Sequence, residues 1–427
     1  MFVGAKLACR AMSFPSHPQR EALTGELHAR PAIPLQLPAR LSRLAMVSPD
    51  REAEEAHLAT LCAWHGVVPP APGATWFMAD FGAFRLRFER HTEFTGWNFL
   101  ANGADPEKPF DSPAIAALPS EWLAKLPGQA VAAMHLALVD ARAETCGFVT
   151  DSIAGAAVAD QMAMVFTDFR LHPDGFTRIL LAGEPNPVLA GRLAQALWEI
   201  ETYRAMALLA LPTARSVAPQ LAHASEHLAQ ISARLPTLDD LGAERATLEE
   251  LTEIAGEIER ASAATSERFS ASAAYHRLVL RRLSELGEVP LHGVPTLSRF
   301  LDRRMEPAMA TVTATGARIS ALSVRAARLV DLLRARVAVA QEAQAEKQLT
   351  TLAATGRAQL RLQQTVEGLS VAGITYYMLT VIGYFIKPLP WWPQLGTDGE
   401  AVIAVLVPIV AGLVWWNLRK RRLEAET

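Results

Sequence analysis

The sequence predicts an α+β N-terminal domain followed by a long antiparallel helical and coiled-coil region and a C-terminal two-helix transmembrane hairpin. Three observations predict it. Short runs of alternating apolar residues, the pattern of strands, fill the chain before residue 182. Beyond that point apolar residues recur every three or four positions, the period of an amphipathic helix. Near the end stand two uncharged apolar stretches, 369–386 (LSVAGITYYMLTVIGYFI) and 401–418 (AVIAVLVPIVAGLVWWNL). As helices each would measure roughly 27 Å, enough to meet the hydrocarbon core of a bilayer. The expected division is a disordered N-terminus (1–16), an α+β domain (17–186), a helical hairpin region (187–295), a stalk helix (296–368), a first span (369–386), an external loop (387–400), a second span (401–418) and a basic tail (419–427).

In the first domain, residues 41–47 and 131–139 read as strands. Residues 76–100 read as two strands, with Phe84, Leu86 and Phe88 on one face and Arg85, Arg87 and Glu89 on the other. Apolar runs at 153–167 and 176–181 flank His172-Pro173-Asp174-Gly175, and an Asp-Gly pair between apolar runs signals a hairpin. Residues 50–65 and 120–125 read as helices. The expectation is one sheet with helices on one face.

Helices then follow. One covers 188–211 and ends at Pro212, and a second covers 217–235 and ends at Pro236. Thr237-Leu-Asp-Asp caps a third, which runs to Leu286 and is broken by Gly287 and Pro290. In it Leu248, Leu251, Ile254 and Ile258 share one face, with Glu249, Glu250, Glu253 and Glu257 on the other, a solvated helix face or acidic ground for a divalent ion. No proline occurs from Ala308 through Lys387, so one rod of roughly 110–120 Å is expected to lead into the membrane. Leu322, Leu329, Leu333 and Val337, then Leu349, Leu352, Leu360, Leu362 and Val366, form a partial heptad stripe interrupted by the polar residues 341–348, which calls for helical partners.

Pro388, Pro390 and Pro393 stop the first span, and Trp391-Trp392 suits the headgroup boundary, with Trp415 and Trp416 as the belt at the far end. Arg419-Lys420-Arg421-Arg422 follows the second span and Arg357 and Arg361 precede the first, whereas the loop offers only Lys387. The positive-inside rule therefore places both termini in the cytoplasm, in a multi-pass membrane protein.

The chain has 427 residues, a net charge of −3 and a mean hydropathy of +0.14. That composition excludes a disordered chain, a collagen and a disulfide scaffold, and it leaves no basic excess for nucleic acid. Cys9, Cys62 and Cys146 follow no C-x-x-C pattern and read as reduced thiols. The first sixteen residues lack the apolar run of a signal peptide, and either Met1 or Met12 would serve as the start.

Four polar clusters hold the candidate chemistry: Glu26-Leu-His28-Ala-Arg30-Pro31; Arg90-His91-Thr-Glu93; Thr167-Asp168-Phe-Arg170; and Glu199-Ile-Glu201-Thr-Tyr-Arg204. Converging His28, His91, Glu93 and Asp168 would bind a divalent cation or supply an acid and a base. The alternative is a set of Arg–carboxylate pairs that fix packing. Phosphate-loop, dinucleotide, zinc-protease and nucleophile-elbow motifs are missing, so no cofactor is identified and no enzyme is predicted. In the first span Gly373, Tyr377, Thr380 and Tyr384 follow at steps of four, three and four, with Ser370 continuing the face. Such a stripe packs against another helix or lines a wet path.

Two resemblances follow. His17-Pro18, Gly25-Glu-Leu-His-Ala-Arg-Pro31, Arg90-His-Thr-Glu-Phe94, Thr167-Asp-Phe-Arg170 and Glu199-Ile-Glu-Thr-Tyr-Arg204 resemble the bacterial uncharacterised membrane-anchored protein family, domain of unknown function number 3422. That resemblance implies a membrane location and assigns no activity. The order of parts is similar to CorA-type divalent-cation transporters, although Tyr384-Phe-Ile-Lys-Pro388 stands where that family carries Gly-Met-Asn. The leading expectation is a homo-oligomer in the lipid bilayer whose first spans line an ion pore gated by the cytoplasmic domain. The alternative is a membrane-anchored scaffold or sensor without transport, and a third reading makes the N-terminal clusters an enzyme site.

Overall fold

A computed structural model of the chain describes residues 15–20, 24, 32–48, 50–140, 148–238, 240–386 and 398–425. The first polar cluster with His28 and Arg30, the expected disordered N-terminus up to residue 14, Cys9, Cys146, and the loop with Lys387, Trp391 and Trp392 lie outside these residues. The chain forms two compact units, Met1–Leu235 with Glu250–Arg328, and Pro236–Glu249 with Leu329–Thr427.

The first unit is built on β1 (Ala39–Val47), α1 (Arg51–Trp64), β2 (Trp76–Asp80), β3 (Arg85–Arg90), β4 (Thr95–Asn102), α2 (Ser120–Ala124), β5 (Gln129–Val139), β6 (Ala154–Val158), β7 (Ala163–Thr167), β8 (Thr177–Gly183), α3 (Pro187–Leu208), α4 (Ala210–Arg234), most of α5 (Leu241–Glu285), β9 (Val289–Pro290) and the start of α6 (Leu297–Ile386). The strands form one sheet in the order β2-β3-β4-β1-β5-β8-β7-β6-β9. Among the described residues β5 and β8 pair in parallel and the other neighbours are antiparallel.

Helix starts follow local chemistry. The Asp50 carboxylate accepts from the Ala53 amide (2.9 Å) to cap α1, Asn186 accepts from Leu189 (3.0 Å) with Pro187 opening α3, and Asp240 accepts from Ala243 (3.1 Å) ahead of α5. Three expectations are corrected. Residues 76–100 hold three strands, because Asp80 accepts from the Gly82 amide (2.8 Å) in one turn and His91 donates to the Phe94 carbonyl (2.8 Å) in another. Likewise 153–167 divides into β6 and β7 around Ala159, Asp160 and Gln161, all at positive φ without a glycine to announce the turn. Pro212 ends no helix. It stands in the first turn of α4, where a missing N–H leaves no intrahelical bond unmade.

The sheet carries helices on both faces, against the expectation of one. Phe84, Leu86, Phe88, Trp97 and Phe99 pack with Leu58 and Leu61 of α1 and Trp122 of α2. On the opposite face Leu41, Leu100, Leu136 and Leu138 pack with Leu193, Leu197 and Trp198 of α3, and Val279, Leu283, Phe300 and Met305 add a second helical layer. Gly191 lets α3 approach the segment at Ile33, since a Cβ there would overlap the Ile33 carbonyl oxygen. Within this unit α4, α5 and α6 meet at Ala214, Phe269 and Val312.

In the second unit Arg336 of α6 pairs with Glu244 of α5 (3.0 Å) and donates to the Leu238 carbonyl (2.8 Å). Leu333 and Val337 are buried, whereas Leu349, Leu352, Leu360, Leu362 and Val366 are exposed. The final helix, α7, spans Asp398–Ala425. The 90-residue α6 carries one window long and apolar enough to cross a membrane. The apolar stretch described in α7, Ala404–Asn417, is shorter than that.

Candidate functional site

The charged face of β3 is a buried seam. Register places Arg87 of β3 opposite Asn98 of β4, and Asn98 opposite Arg43 of β1, so three polar side chains form one row across the sheet. Glu89 and Gly96 make the next row with Ala45. Arg43, Arg87 and Glu89 are each 2–3% exposed, because α3 covers them. Arg43 donates to Asn98 Oδ1 (2.7 Å), Thr202 Oγ1 (3.0 Å) and Glu89 (3.5 Å), while Arg87 donates through Nε to Glu89 (2.8 Å) and makes a second, close contact with it through Nη2. Both guanidiniums lie over the Trp198 ring, at 5.6 and 5.5 Å. A Cβ on Gly96 would come within 3.0 Å of the Arg43 guanidinium, so glycine makes room for it.

Burial lowers the Arg43 pKa, with Glu89 acting in the other direction. Burial also pushes the Glu89 carboxyl up, but the charges of Arg43 and Arg87 outweigh it and hold the group below its ordinary value. Two cations, one carboxylate and an indole face thus pack against one another in the buried row. Arg43, Arg87, Asn98 and Thr202 were not legible as a cluster, although the polar alternation of β3 was.

The predicted clusters are dispersed around α3. Arg90 binds Glu55 (2.8 Å) and Glu54 (3.6 Å) of α1, His91 stacks on Phe94 (4.3 Å), and Glu93 forms a two-bond pair with Arg268 of α5 (2.8 and 3.3 Å). Phe94 reaches Tyr203 and Tyr275, whose hydroxyls are raised by burial first, Tyr203 to about 12. Asp168 accepts from His172 (3.0 Å) and from the Val149 and Arg170 amides (3.2 and 3.0 Å), and Arg170 donates to Ser152 (2.9 Å). Glu201 accepts from Thr177 (3.0 Å) and pairs with Arg204, whose guanidinium lies over Phe169. Glu199 pairs with Arg282. Glu93 pairs with Arg268, whereas Asp168 takes His172 and backbone amides, so the two carboxylates serve separate partners. Among the described residues no group of three His, Cys, Asp or Glu could hold a metal ion.

On the other face Ser42 Oγ meets His135 Nδ1 (2.9 Å) and accepts from the Ile115 amide (3.1 Å), and the His135 ring stacks on Phe176 (4.0 Å). Burial lowers the imidazole to about 4, against the opposing charge of Asp174 at 4.0 Å. Both side chains are buried. The stripe residues Ser370, Gly373, Tyr377, Thr380 and Tyr384 are exposed on α6, and Ser370, Gly373 and Tyr377 line a groove of about 560 Å³ with Ile374, Met378 and Val381.

Fold and site together define a mixed α/β-sheet protein, sealed around a buried charge seam and continued by a long helix with one window of membrane-spanning length. The chain belongs to the family described as Protein of unknown function (DUF3422), which matches residues 15–424. No curated protein and no solved structure matches it. Of the motif residues the structure describes, Glu199, Glu201 and Arg204 lie on α3, Phe94 meets Tyr203 of α3, and Phe169 lies under the Arg204 guanidinium.

Proposed function

We propose that the chain is a two-span protein of the bacterial inner membrane, with both termini cytoplasmic, that assembles as a homo-oligomer around the first span and conducts ions along its axis. The observation that carries this reading is Tyr377. It lies midway along the apolar segment 369–386, is 72% exposed, and its hydroxyl has no hydrogen bond among the described residues. A phenol at that depth in hydrocarbon needs a partner from another helix or from water. Ser370, Gly373, Thr380 and Tyr384 share its face, so an axis lined by copies of this stripe gives the tyrosine hydroxyls partners and opens a polar path. The apolar part of α7 with the basic residues after it supports the second span and the orientation. The order of parts shared with CorA-type transporters supports conduction by analogy alone.

The test is flux of potassium and magnesium into proteoliposomes, paired with the mass of the solubilised particle. A ring of subunits whose flux falls with Tyr377→Phe and Thr380→Leu supports the reading; flux unchanged in both variants, or a monomer, overturns it. One observation favours a second reading, a membrane-anchored scaffold or sensor. Ser370 and Thr380 donate to the carbonyls of Val366 and Tyr376 (each 2.8 Å), so these two hydroxyls need no water. In that case an unrelated two-span anchor in place of 369–418 preserves function in the cell.

A further inference from the structure

A cleft of about 550 Å³ opens in the first unit, away from the charge seam, among the start of α3, the end of α5 and the β6–β7 turn. Its size is that of a small-molecule site. Leu189, Arg192, Leu193, Gln195 and Ala196 share one face of α3 and line it, opposite Arg282, Glu285 and Leu286.

The polar groups are unequally satisfied. Arg282 is matched twice, by Glu199 and Glu285. Arg192, exposed at the cleft, has no carboxylate partner among the described residues. The Gln195 amide nitrogen donates to Glu199 (2.9 Å), which fixes the amide orientation, since the carboxylate accepts only. Gln195 Oε1 is then buried and accepts from no donor among the described residues. Among the described residues the cleft thus presents one unmatched cation and one unmatched acceptor a helical turn apart, with leucine and alanine side chains beside them.

We infer that this cleft binds a small carboxylic acid that carries a hydroxyl or amino donor next to its carboxylate and an apolar body. The carboxylate pairs with the Arg192 fork, the donor serves Gln195 Oε1, and the body lies against Leu189, Leu193 and Leu286. The proposal is independent of ion conduction, because none of these residues belongs to the first span.

The test uses the purified full chain and calorimetric titration with three probes. These are 2-hydroxy-4-methylpentanoate, 4-methylpentanoate, which lacks the donor, and 4-methylpentane-1,2-diol, which lacks the charge. The hydroxy acid is expected to bind, with each of the others at least about tenfold weaker, the scale of one lost charge-assisted or buried hydrogen bond. Arg192→Gln is expected to weaken the hydroxy acid by a similar factor. Gln195→Met is expected to erase the preference for the hydroxy acid over 4-methylpentanoate. Both variants are first checked for an unchanged melting temperature without ligand. Failure of all three probes to bind, equal binding of the hydroxy acid and 4-methylpentanoate to the wild-type chain, or unchanged binding in Arg192→Gln overturns the proposal.

Discussion

Replacing Glu89 by glutamine removes the one carboxylate that two buried guanidiniums share. Arg87 loses two contacts to a charged acceptor and Arg43 loses one at 3.5 Å. Breaking a buried pair from one side costs about 3–5 kcal/mol, because the remaining charge has no compensation and no water. Asn98 and Thr202 still accept from Arg43, and Trp198 still faces both cations, which places the expectation near the lower end, about 3 kcal/mol. For a unit of this size that is a fall in melting temperature of roughly 5 °C. Thermal unfolding followed by tryptophan fluorescence reads the effect, since Trp198 lies under both guanidiniums. Adding Arg87→Met should recover part of the loss, because it removes one of the stranded cations. The seam also has an acid signature. Since the Glu89 carboxyl is held below its ordinary 4.5, its stabilisation is complete above that pH and is lost as pH falls through the lower folded value. Glu89→Gln removes that part of the acid transition. A shift below about 1 °C, or strict additivity of Glu89→Gln and Arg87→Met, would refute the reasoning, since a fall of several degrees and a partial rescue are both required.

His135 supplies a second pH dependence. Its imidazole is lowered by burial from 6.5 to about 4, so the unfolded chain binds the proton first and stability declines as pH drops between those values. At about 1.4 kcal/mol per pH unit the decline reaches roughly 3 kcal/mol, and His135→Phe is expected to flatten that slope in melting curves taken from pH 7 to pH 4. A slope unchanged in the variant assigns it to another group. Gly191→Ala forces a methyl against the Ile33 carbonyl oxygen, an overlap with backbone that no rotamer relieves, and a loss of at least about 2 kcal/mol is expected in the same assay. Gly356→Ala, where a Cβ meets nothing, is the control and should not lower the melting temperature.

The elements read most easily were those whose signal is local. The period of Leu251, Ile254 and Ile258, the cap within Thr237-Leu-Asp-Asp240, and the apolar window late in α6 are each contained in consecutive residues. Turns without glycine escaped: Ala159 and Gln161 do not favour positive φ, and Asp160, which tolerates it, stands without a glycine beside it, so β6 and β7 read as one run. The polar face of β3 escaped for a different reason. Alternation separates two faces but does not say whether water or a helix covers the second.

By itself the sequence determined which stretches are helical and which extended, which face of β3 is apolar, and that one late segment has the length and composition of a membrane span. Tertiary structure alone decided that Arg43, Arg87 and Glu89 are sealed beneath Trp198, that Glu93 and Asp168 serve different partners, and that Gln195 and Arg192 face a cleft. The physical reason is range. Period and capping act between neighbours along the chain, whereas Arg43 meets Thr202 across 159 residues, through a register and a helix placement that depend on the packing of the whole unit.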